Sequence, residues 1–541
     1  MNTKISRRKI LQMASVPALI PWAKAQALAP TTSKVYPGID GKLVYVPDDQ
    51  GNIIIDASHA GYKGGGVNIP RVPVRETIWP ATGDSWEHLQ SAIDRISSLP
   101  LGPDGFRGTL LLKAGYYHLS KPLKIQASGV VLRGEGMEDS GTILVGTRTS
   151  NPEDTRRKTL VEIGGETGAI GQENTKQSIL DEYVPVGSRS FRVSSARQFR
   201  PGDKVIVRRK SNDDWINAVG MNIDTPQGRW DNFNIDWDRE IVDVQADRIT
   251  FDAPITCAIE ARWGGGEIMK YDDTGRIENV GVENLRGVAE FDPTVRSTEY
   301  GNMDRPNFVA EEYYADEDQY RNFIIFGNAK NCWVRNATAM HFVYSMVGTQ
   351  GGSKWITIQD CVSREPVSRV WGARRFTFGL RGQLALVQRC HSDEGRHSFV
   401  TGQPSGNGNV FLDCLATRPY SSSEPHERWS TGNLYDNVQA PLTARFWKGI
   451  IIGWAGANTV FWNCEGDFLI QKPPTAQNYA FGHIGVNAVV FNTRLQDLTL
   501  ENGYMESLGV HVTPRSLYLA QLRERLGESA VRQIASYSQL D

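Results

Sequence analysis

Cysteine is scarce in this chain and forms no zinc motif. Six of the 541 residues are Cys, and none stands in a Cys-x-x-Cys pair, which disfavours a structural zinc site. The apolar runs fall short of the roughly 18 residues that a membrane-spanning helix needs. The formal net charge is −2, so the composition gives no indication of a nucleic-acid partner. With 40% hydrophobic and 22% charged residues, the chain is typical of a globular protein.

The N-terminus has the features of an export signal. Residues 6–12 read SRRKILQ and resemble the bacterial twin-arginine consensus. An apolar stretch from Met13 to Trp22 follows, and Ala23-Lys24-Ala25 offers an A-x-A cleavage site. The sequence therefore predicts a signal peptide over 1–25, export by the twin-arginine machinery, and a periplasmic or secreted protein.

Five short phrases repeat in the C-terminal half. Each sets an apolar or β-branched run beside a polar residue and a cysteine; they occupy residues 330–334, 356–361, 386–390, 410–414 and 460–464. Their cysteines are 29, 29, 24 and 50 residues apart. A strand that recurs at about 20–30 residues, with one residue type in one place, is typical of a solenoid.

The cysteines of the first four phrases take the same place in each phrase. We therefore expect Cys332, Cys361, Cys390 and Cys414 to stack as a ladder of small buried side chains. Neighbouring coils of a solenoid lie about 4.8 Å apart, which is within reach of a disulfide. Disulfide bonding in the ladder is therefore left open by the sequence.

A helix followed by several strands opens the regular part of the chain. Residues 82–96 read TGDSWEHLQSAIDRI, an amphipathic pattern that Asp84 or Ser85 can cap. Two strands after it carry the motifs AGYY at 114–117 and GVVLRGEG at 129–136. This pattern resembles the opening of the pectate-lyase-like superfamily. The resemblance implies an all-β chain folded as a right-handed parallel β-helix with an N-terminal capping helix.

The spacing of the predicted strands divides the rest of the chain into segments. We predict an N-terminal extension over 26–81, the first coils over 82–146, an insertion over 147–270, the main coils over 271–512, and a helical tail over 513–541 that covers the open edge of the last coil. Trp215, Trp230 and Trp237 in the insertion form either local core or a sugar-stacking wall. The acidic run from Glu311 to Asp318 is either a solvated loop or a calcium- or substrate-binding loop.

Ionisable side chains concentrate in the turns that follow the cysteine phrases. Stacked coils would place seven of them on one face: His341, Glu365, Glu394, Arg396, His397, His426 and Arg428. Residues 353–397 also hold eight basic and four acidic side chains. This local excess of positive charge suits an anionic ligand, and the guanidinium fork binds carboxylates bidentately.

An acidic polysaccharide fits such a groove, and its cleavage by β-elimination requires three roles. A cation neutralises the uronate carboxylate, a base takes the neighbouring proton, and an acid protonates the leaving oxygen. The catalytic candidates are His397, His426, Arg396, Arg428, Tyr344 and Glu394, with Tyr420 and Tyr435 as further candidate acids. The substrate-binding candidates are His341, Arg364, Glu365, Arg374, Arg375, Glu424, Trp429 and Tyr435.

We expect no required cofactor, although calcium could replace arginine as the neutralising cation. The calcium motifs of pectate lyases are not recognisable in the sequence. A glycoside hydrolase on the same fold is the first alternative; it would use two carboxylates, either Glu365 with Glu394 or Glu394 with Glu424. The Asn-Thr-Asp and Asp-Asp motifs of β-helix polygalacturonases are missing from plausible coil positions. A non-catalytic adhesin or tailspike-like binder is the second alternative, which the ionisable cluster disfavours.

Overall fold

The chain folds as an all-β, right-handed parallel β-helix in a computed structural model that describes residues 30–148, 158–224, 228–300, 311–487 and 495–540. The fold predicted from the sequence is confirmed. The signal peptide predicted over 1–25 lies outside the described residues, and so does the short strand that the apolar run Val489-Val490-Phe491 predicts over 489–492. Among the described residues, no helix combines the length and the apolar character that crossing a membrane requires.

Three parallel sheets run along the solenoid. The strands of the first sheet are Val74–Ile78, Gly108–Leu112, Val130–Arg133, Ile277–Glu278, Gly281–Ala289, Ala329–Met340, Lys354–Gln359, Leu386–Gln388, Val410–Leu412, Leu434–Asp436, Val460–Trp462, Tyr479–Phe481 and Tyr504–Glu506. Its neighbouring strands pair in parallel and in register, as Leu386 with Val410 and Leu434 with Val460 show.

The second and third sheets complete each coil. The second consists of Gly115–Leu119, Thr142–Gly146, the ends of Gly281–Ala289 and Ala329–Met340, Val362–Arg364, His391–Asp393 and Leu415–Thr417. The third consists of Leu123–Ile125, Thr159–Gly164, Asn322–Gly327, Ser345–Thr349, Phe376–Leu380, His397–Gly402 and Glu424–Glu427. The strand Leu442–Ala444, which pairs with Phe468–Ile470, stacks beyond it.

A left-handed residue turns the chain between the first and second sheets. Asp360, Arg389, Asp413 and Asn463 hold φ angles of 50° to 55°, the conformation that Asn and Asp tolerate best. The next residue in each coil is a cysteine that points into the core. Alternate residues of the first sheet also face inward, so the rings of Phe411 and Tyr435 stack in the core with centroids 4.9 Å apart.

The cysteine ladder differs from the expected one at one position. Cys361, Cys390 and Cys414 follow one another in register, but Cys332 pairs with Ile356 inside the first sheet. Ala337 takes the ladder position in that coil, because Thr338 pairs with Val362. All six cysteines are buried and carry free thiols.

The N-terminal helix spans Trp86–Ser98 and closes one end of the solenoid. The Asp84 carboxylate accepts the backbone N–H of Trp86 and thereby satisfies one free donor of the first turn. Leu89, Ile93 and Ile96 are buried against the first coils. The helix therefore covers apolar side chains that the end of the β-helix would otherwise expose to water.

The insertion is an antiparallel β-structure with its own core. Its strands are Ile170–Gly171, Gln177–Ser178, Tyr183–Val184, Ser190–Arg192, Lys204–Arg209, Ile235–Gln245, Arg248–Phe251, Ile259–Glu260 and Gly266–Asp272, with a short helix at Asp213–Ala218. Thr159–Gly164 pairs with the solenoid instead, so the insertion starts after this strand. Trp215, Trp230 and Trp237 are buried in the insertion core. They form no sugar-stacking wall.

The C-terminal helices cover a face of the solenoid and not its edge. Leu517–Leu526, Glu528–Ile534 and Tyr537–Leu540 pack, with the N-terminal extension, on the outward side of the first sheet. Leu412, Leu434 and Trp462 are buried beneath them. The expectation that the tail covers the last coil was wrong, because the outward side chains of this sheet are apolar and need a partner. The extension contributes the hairpin strands Val35–Pro37 and Leu43–Tyr45.

Candidate active site on the third sheet

A groove runs over the outer face of the third sheet. It contains a cavity of about 860 Å³ and, beside it, one of about 370 Å³, both within the usual size range of ligand sites. The residues that line both cavities are Tyr344, Ala373, Phe376, Arg381, His426 and Glu427. Because the two cavities share these side chains, they form one continuous site.

Aromatic rings form much of the wall of the larger cavity. The rings that line it are Tyr300, Tyr344, Trp371, Phe376, Tyr420 and Trp447. Tyr344 stacks on Phe376 with ring centroids 5.0 Å apart. Such rings offer flat apolar faces, and Tyr also offers a polar hydroxyl. The wall is therefore suited to packing against the apolar faces of sugar rings.

A β-bulge directs His426 into this groove. Thr401 pairs with Pro425, whereas the next residue, Gly402, pairs with Glu427. His426 is therefore the extra residue of the strand Glu424–Glu427. Bulges re-aim a side chain and are common beside active sites. The bulge brings an imidazole to the junction of the two cavities.

A buried carboxylate orients this imidazole. Glu424 Oε1 lies 2.5 Å from His426 Nδ1, and Glu424 Oε2 accepts hydrogen bonds from the hydroxyls of Ser422 (2.9 Å) and Thr443 (2.5 Å). Burial opposes ionisation of Glu424, but the neighbouring His397 and the hydrogen bond from His426 hold its pKa well below the usual range. The carboxylate is therefore ionised, His426 Nδ1 carries a proton, and Nε2 is the atom left to act as a base.

His397 lies beneath the groove and is fully buried. Its Nδ1 is 2.6 Å from the backbone oxygen of Ser422, and because a carbonyl only accepts, Nδ1 must carry the proton. Burial, followed by the charge of Arg396, lowers the pKa of His397 well below its usual value. This histidine is therefore neutral, and it packs edge-on against Phe376 at 4.8 Å instead of lining either cavity.

Three arginines bring positive charge to the groove, namely Arg321, Arg381 and Arg396. Arg396 lines the larger cavity and donates to the backbone oxygen of Gly372. Burial lowers its pKa to about 10, so the guanidinium stays protonated at neutral pH. Arg381 lines both cavities and forms an ion pair with Glu427 at 3.5 Å. Burial raises the pKa of the Tyr344 hydroxyl, which keeps this neighbour of the three arginines protonated.

The other arginines of the predicted basic groove are spread over different surfaces. Arg374 binds Glu317 with two hydrogen bonds of 2.9 and 2.8 Å, which also gives the acidic run an ion-pairing role. Arg375 is buried and donates to Ser368. Arg364 ends a strand of the second sheet, and Arg428 follows the bulged strand with a φ of 22°. None of these four lines either cavity.

His341, Glu365 and Glu394 form a separate row. They occupy the corner after the second sheet with φ angles of 53° to 70°. His341 Nε2 lies 3.6 Å from a carboxylate oxygen of Glu365, and Glu394 pairs with Arg418 at 3.2 Å. This row lines neither cavity. The ionisable residues that the sequence places on one face therefore lie on two different faces. The carboxylate pairs considered for a hydrolase do not meet in the groove.

Trp429 and Tyr435 are buried away from the groove. The Trp429 indole packs edge-on against Trp215 at 4.9 Å and joins the core of the insertion. Tyr435 points into the solenoid, where its hydroxyl donates to the backbone oxygen of Phe399. Neither side chain can reach a ligand in the groove. Both positions correct the substrate-binding set predicted from the sequence.

The cluster around Glu424 is also the place where donor atoms suited to a metal come together. Among the described residues, His397, Glu424 and His426 are the group whose ligand atoms all lie within 4.8 Å of one another. Both Nδ1 atoms already carry protons in hydrogen bonds to oxygen. We therefore treat the three as a hydrogen-bonded cluster and assign them no metal.

Comparison with known proteins gives structural likeness only. No family model and no curated protein sequence matches the chain. The tailspike gp61 of Pseudomonas phage phi297 superposes with a TM-score of 0.35 at 11% identity, over 80% of this chain and 74% of the tailspike. The DFA-IIIase of Arthrobacter chlorophenolicus A6 gives a TM-score of 0.35 at 11% identity, over 84% of this chain and 88% of the DFA-IIIase. The iota-carrageenase of family GH82 from A. fortis gives a TM-score of 0.30 at 11% identity, over 82% of this chain and 62% of the carrageenase.

Several groove residues carry a weak signal or none in the sequence. Arg381 is one of eight basic residues between 353 and 397, and nothing distinguishes it from the others. Adjacent residues of a regular strand point to opposite faces, so only the bulge allows Glu427 to line the groove beside His426. Trp447 belongs to a small antiparallel pair of strands, Phe446–Trp447 and Gly453–Trp454. No periodic pattern in the sequence predicts this pair.

Proposed function

We propose that this protein is an exported carbohydrate-active enzyme that cleaves a uronate-containing polysaccharide by β-elimination. The observation that carries the proposal is the Glu424–His426 pair at the junction of two cavities. A carboxylate-oriented imidazole is a common general base. It stands here among aromatic rings and three arginines, which together match the apolar faces and the negative charge of an acidic sugar chain.

Each step of β-elimination has a residue in the groove. Arg396 and Arg381 bind the substrate carboxylate and draw charge from the ring, so that the proton on the adjacent carbon becomes more acidic. His426 Nε2 removes this proton. The Tyr344 hydroxyl, protonated because burial raises its pKa, gives a proton to the leaving oxygen. Electrons of the broken C–H bond form the new double bond as the C–O bond breaks.

The lyase is favoured over a hydrolase by the state of the carboxylates. Hydrolysis needs one carboxyl group as acid and a second as base or nucleophile, both facing the glycosidic bond. Glu424 is buried and fully engaged by three donors. Glu427 faces the groove but is paired with Arg381. Glu299 also lines the larger cavity, but it is exposed to water. The arrangement therefore offers an imidazole base more readily than a pair of carboxyl groups.

Ultraviolet absorbance tests the proposal. Mature protein is incubated with a panel of acidic polysaccharides, including pectate, alginate and glycosaminoglycans, with and without calcium and a chelator. The lyase forms unsaturated uronates, which absorb in the ultraviolet. Reducing ends without this absorbance would replace the lyase with a hydrolase. Binding without cleavage of any glycan would leave a non-catalytic binder, and loss of cleavage on chelation would assign the neutralising role to calcium.

Export through the twin-arginine machinery is part of the proposal. Its support is the sequence of residues 6–12 and the cleavage site at 23–25. Cell fractionation of the chain and of a double variant, Arg7→Lys with Arg8→Lys, tests it. We expect the unchanged chain outside the cytoplasm and the variant inside. Equal export of both would reject this route.

A further inference from the structure

A third cavity continues the groove along the third sheet. It measures about 330 Å³, which is within the usual size range of ligand sites. It shares Thr159, Ile325 and Gln350 with the smaller cavity of the candidate site, and the smaller cavity shares His426 with the larger one. The three cavities are therefore contiguous. The third, which we call the distal cavity, lies at the end of the sheet opposite to His426.

One row of register partners connects the surroundings of His426 with the distal cavity. The partners lie in order along the third sheet: Lys124, Glu162, Ile325, Gly348, Gly379 and Val400. Each of them lines the smaller or the distal cavity. Six steps between neighbouring strands separate Glu424–Glu427 from Leu123–Ile125, which at about 4.8 Å a step amounts to about 29 Å. The groove is therefore long enough for several linked sugar units.

Two glycines form the floor of the groove midway along this row. Gly348 and Gly379 are register partners, whereas the residues before them, Val347 and Phe378, are buried in the core. The fold does not require glycine at 379, because its φ lies outside the left-handed region and an added Cβ would meet the backbone oxygen of Phe376 at an ordinary 3.9 Å. Glycine weakens the interior of a strand and often marks a place where a ligand approaches the backbone closely. Gly379 therefore provides space in the smaller cavity.

Amide side chains surround the distal cavity. Gln126, Asn328 and Gln350 line it, and both glutamines are exposed to water. A side-chain amide donates and accepts hydrogen bonds, as a sugar hydroxyl does. Lys124 and Glu162 are register partners at this end of the sheet, so their charges offset each other. The distal cavity is therefore suited to the hydroxyl groups of a sugar unit, whereas the arginines lie nearer to His426.

We propose that the distal cavity is a subsite for a sugar unit of the same chain that is cleaved at His426, and that this chain runs over Gly379 along the solenoid axis. The inference rests on the proposed function and deepens it, because it names the substrate as a long linear polysaccharide that is cleaved within the chain. Sugar units are held on both sides of His426, since the aromatic wall lines the larger cavity and Gly379 lines the smaller one.

Binding of size-defined oligosaccharides tests the inference without turnover. The probes are oligogalacturonates, oligomannuronates and neutral cello-oligosaccharides, from disaccharide to decasaccharide, and calorimetry on the His426→Gln background avoids cleavage. We expect an acidic series to bind about tenfold more tightly as decasaccharide than as tetrasaccharide, which corresponds to one or two additional hydrogen bonds. Gly379→Leu fills the floor of the groove and should abolish this gain, while the affinity for the disaccharide stays unchanged.

Two further variants separate the subsite from general damage. Gly351→Leu adds the same side chain on an exposed turn that lines neither the smaller nor the distal cavity, and it should keep the tenfold gain. Gln126→Ala removes an exposed amide of the distal cavity, so it tests the subsite even where Gly379→Leu does not fold. We expect it to lower the affinity for the decasaccharide by about threefold, the loss of one hydrogen bond. A decasaccharide affinity that Gln126→Ala leaves unchanged overturns the inference.

The proposed function and the distal subsite can fail separately. Length-dependent binding of the cello-oligosaccharides alone, or of an acidic series whose polysaccharide yields no unsaturated product, would keep the subsite and reject the lyase. Unsaturated products from a polysaccharide whose tetrasaccharide and decasaccharide bind equally would keep the lyase and reject the subsite. Absence of binding in all three series also overturns the inference.

Discussion

Glu424 and His426 lie two residues apart on one strand, yet their side chains meet with 2.5 Å between Oε1 and Nδ1. In a regular strand, residues two apart point to the same face, so a buried carboxylate and an imidazole at a groove would not be expected at these two positions. The bulge after Thr401 removes this restriction. It leaves the carboxylate buried and the imidazole at the groove, so one strand supplies both the orienting group and the candidate base.

Replacing His426 tests the base directly. We expect His426→Gln to lower kcat/KM by roughly 100- to 10,000-fold, the usual contribution of general acid–base catalysis. Glu424→Gln should lower kcat/KM less than His426→Gln does. Its amide oxygen can still accept the hydrogen bond from His426 Nδ1, although the negative charge is lost. Initial rates on the cleaved polysaccharide measure both effects.

Glu394→Gln is the control for this comparison. Glu394 pairs with Arg418 on the separate corner row, although the sequence includes it among the catalytic candidates. We expect its activity to equal that of the unchanged protein. A loss as large as that of His426→Gln would move the active site to the corner row.

The sequence predicts the solenoid because short strands of similar composition recur along the chain at the spacing of its coils. The left-handed corner before each ladder cysteine recurs with Asp360, Arg389 and Asp413. Register along the first and second sheets follows from it. The sequence does not predict where the C-terminal helices pack, because periodicity shows that a helix is amphipathic but not which apolar surface it covers.

The site is predicted less well, because the turns before the third sheet differ in length. They comprise residues 341–344, 365–375, 394–396 and 418–423 in successive coils. Counting from a cysteine therefore cannot fix which side chains reach the groove. The density of ionisable residues in the sequence correctly predicts His426 as a groove residue. The same criterion also selects His341, which lies on the corner row. The bulge has no signature in the sequence.

Trp447 should contribute to substrate binding. Its ring lines the larger cavity and is held from behind by Arg445. We expect Trp447→Ala to raise KM by about tenfold, which corresponds to the stacking free energy of an aromatic ring. Substrate titrations with the variant measure the change.

Trp429→Phe is the matched control for Trp447. Trp429 is fully buried against Trp215, so its replacement should lower the melting temperature and leave KM unchanged. If KM rises for Trp429→Phe and not for Trp447→Ala, the ligand does not occupy the larger cavity.

The cysteine ladder should depend on packing and not on disulfides. All six thiols are free, and Val438 takes the ladder position between Cys414 and Cys464. We therefore expect Cys390→Val to cost less than about 1.5 kcal/mol of unfolding free energy, as for other swaps of similar volume. Reducing agent should leave the melting temperature unchanged, and six thiols should react after denaturation. Fewer than six reactive thiols would show that a disulfide forms in the ladder.

Asp436 should make stability fall as the pH rises. Its carboxylate is buried between the solenoid and the C-terminal helices, where it accepts the hydroxyl of Ser516 at 2.7 Å and the backbone N–H of Tyr518 at 2.8 Å. Burial raises its pKa to about 7. Between about pH 4, near the unfolded value, and pH 7 the unfolded chain releases this proton while the folded chain retains it, so folding loses stability over this window.

Asp436→Asn removes this ionisation and keeps an oxygen that can accept both hydrogen bonds. The variant should therefore gain stability relative to the unchanged protein as the pH rises from 5 to 8, by a few kcal/mol at most. Melting temperatures of both proteins across this range measure the difference. A constant difference from pH 5 to pH 8 would mean that Asp436 does not titrate at the helix contact. A difference that shrinks as the pH rises would mean that Ser516 and Tyr518 bind the ionised carboxylate more strongly than burial penalises it.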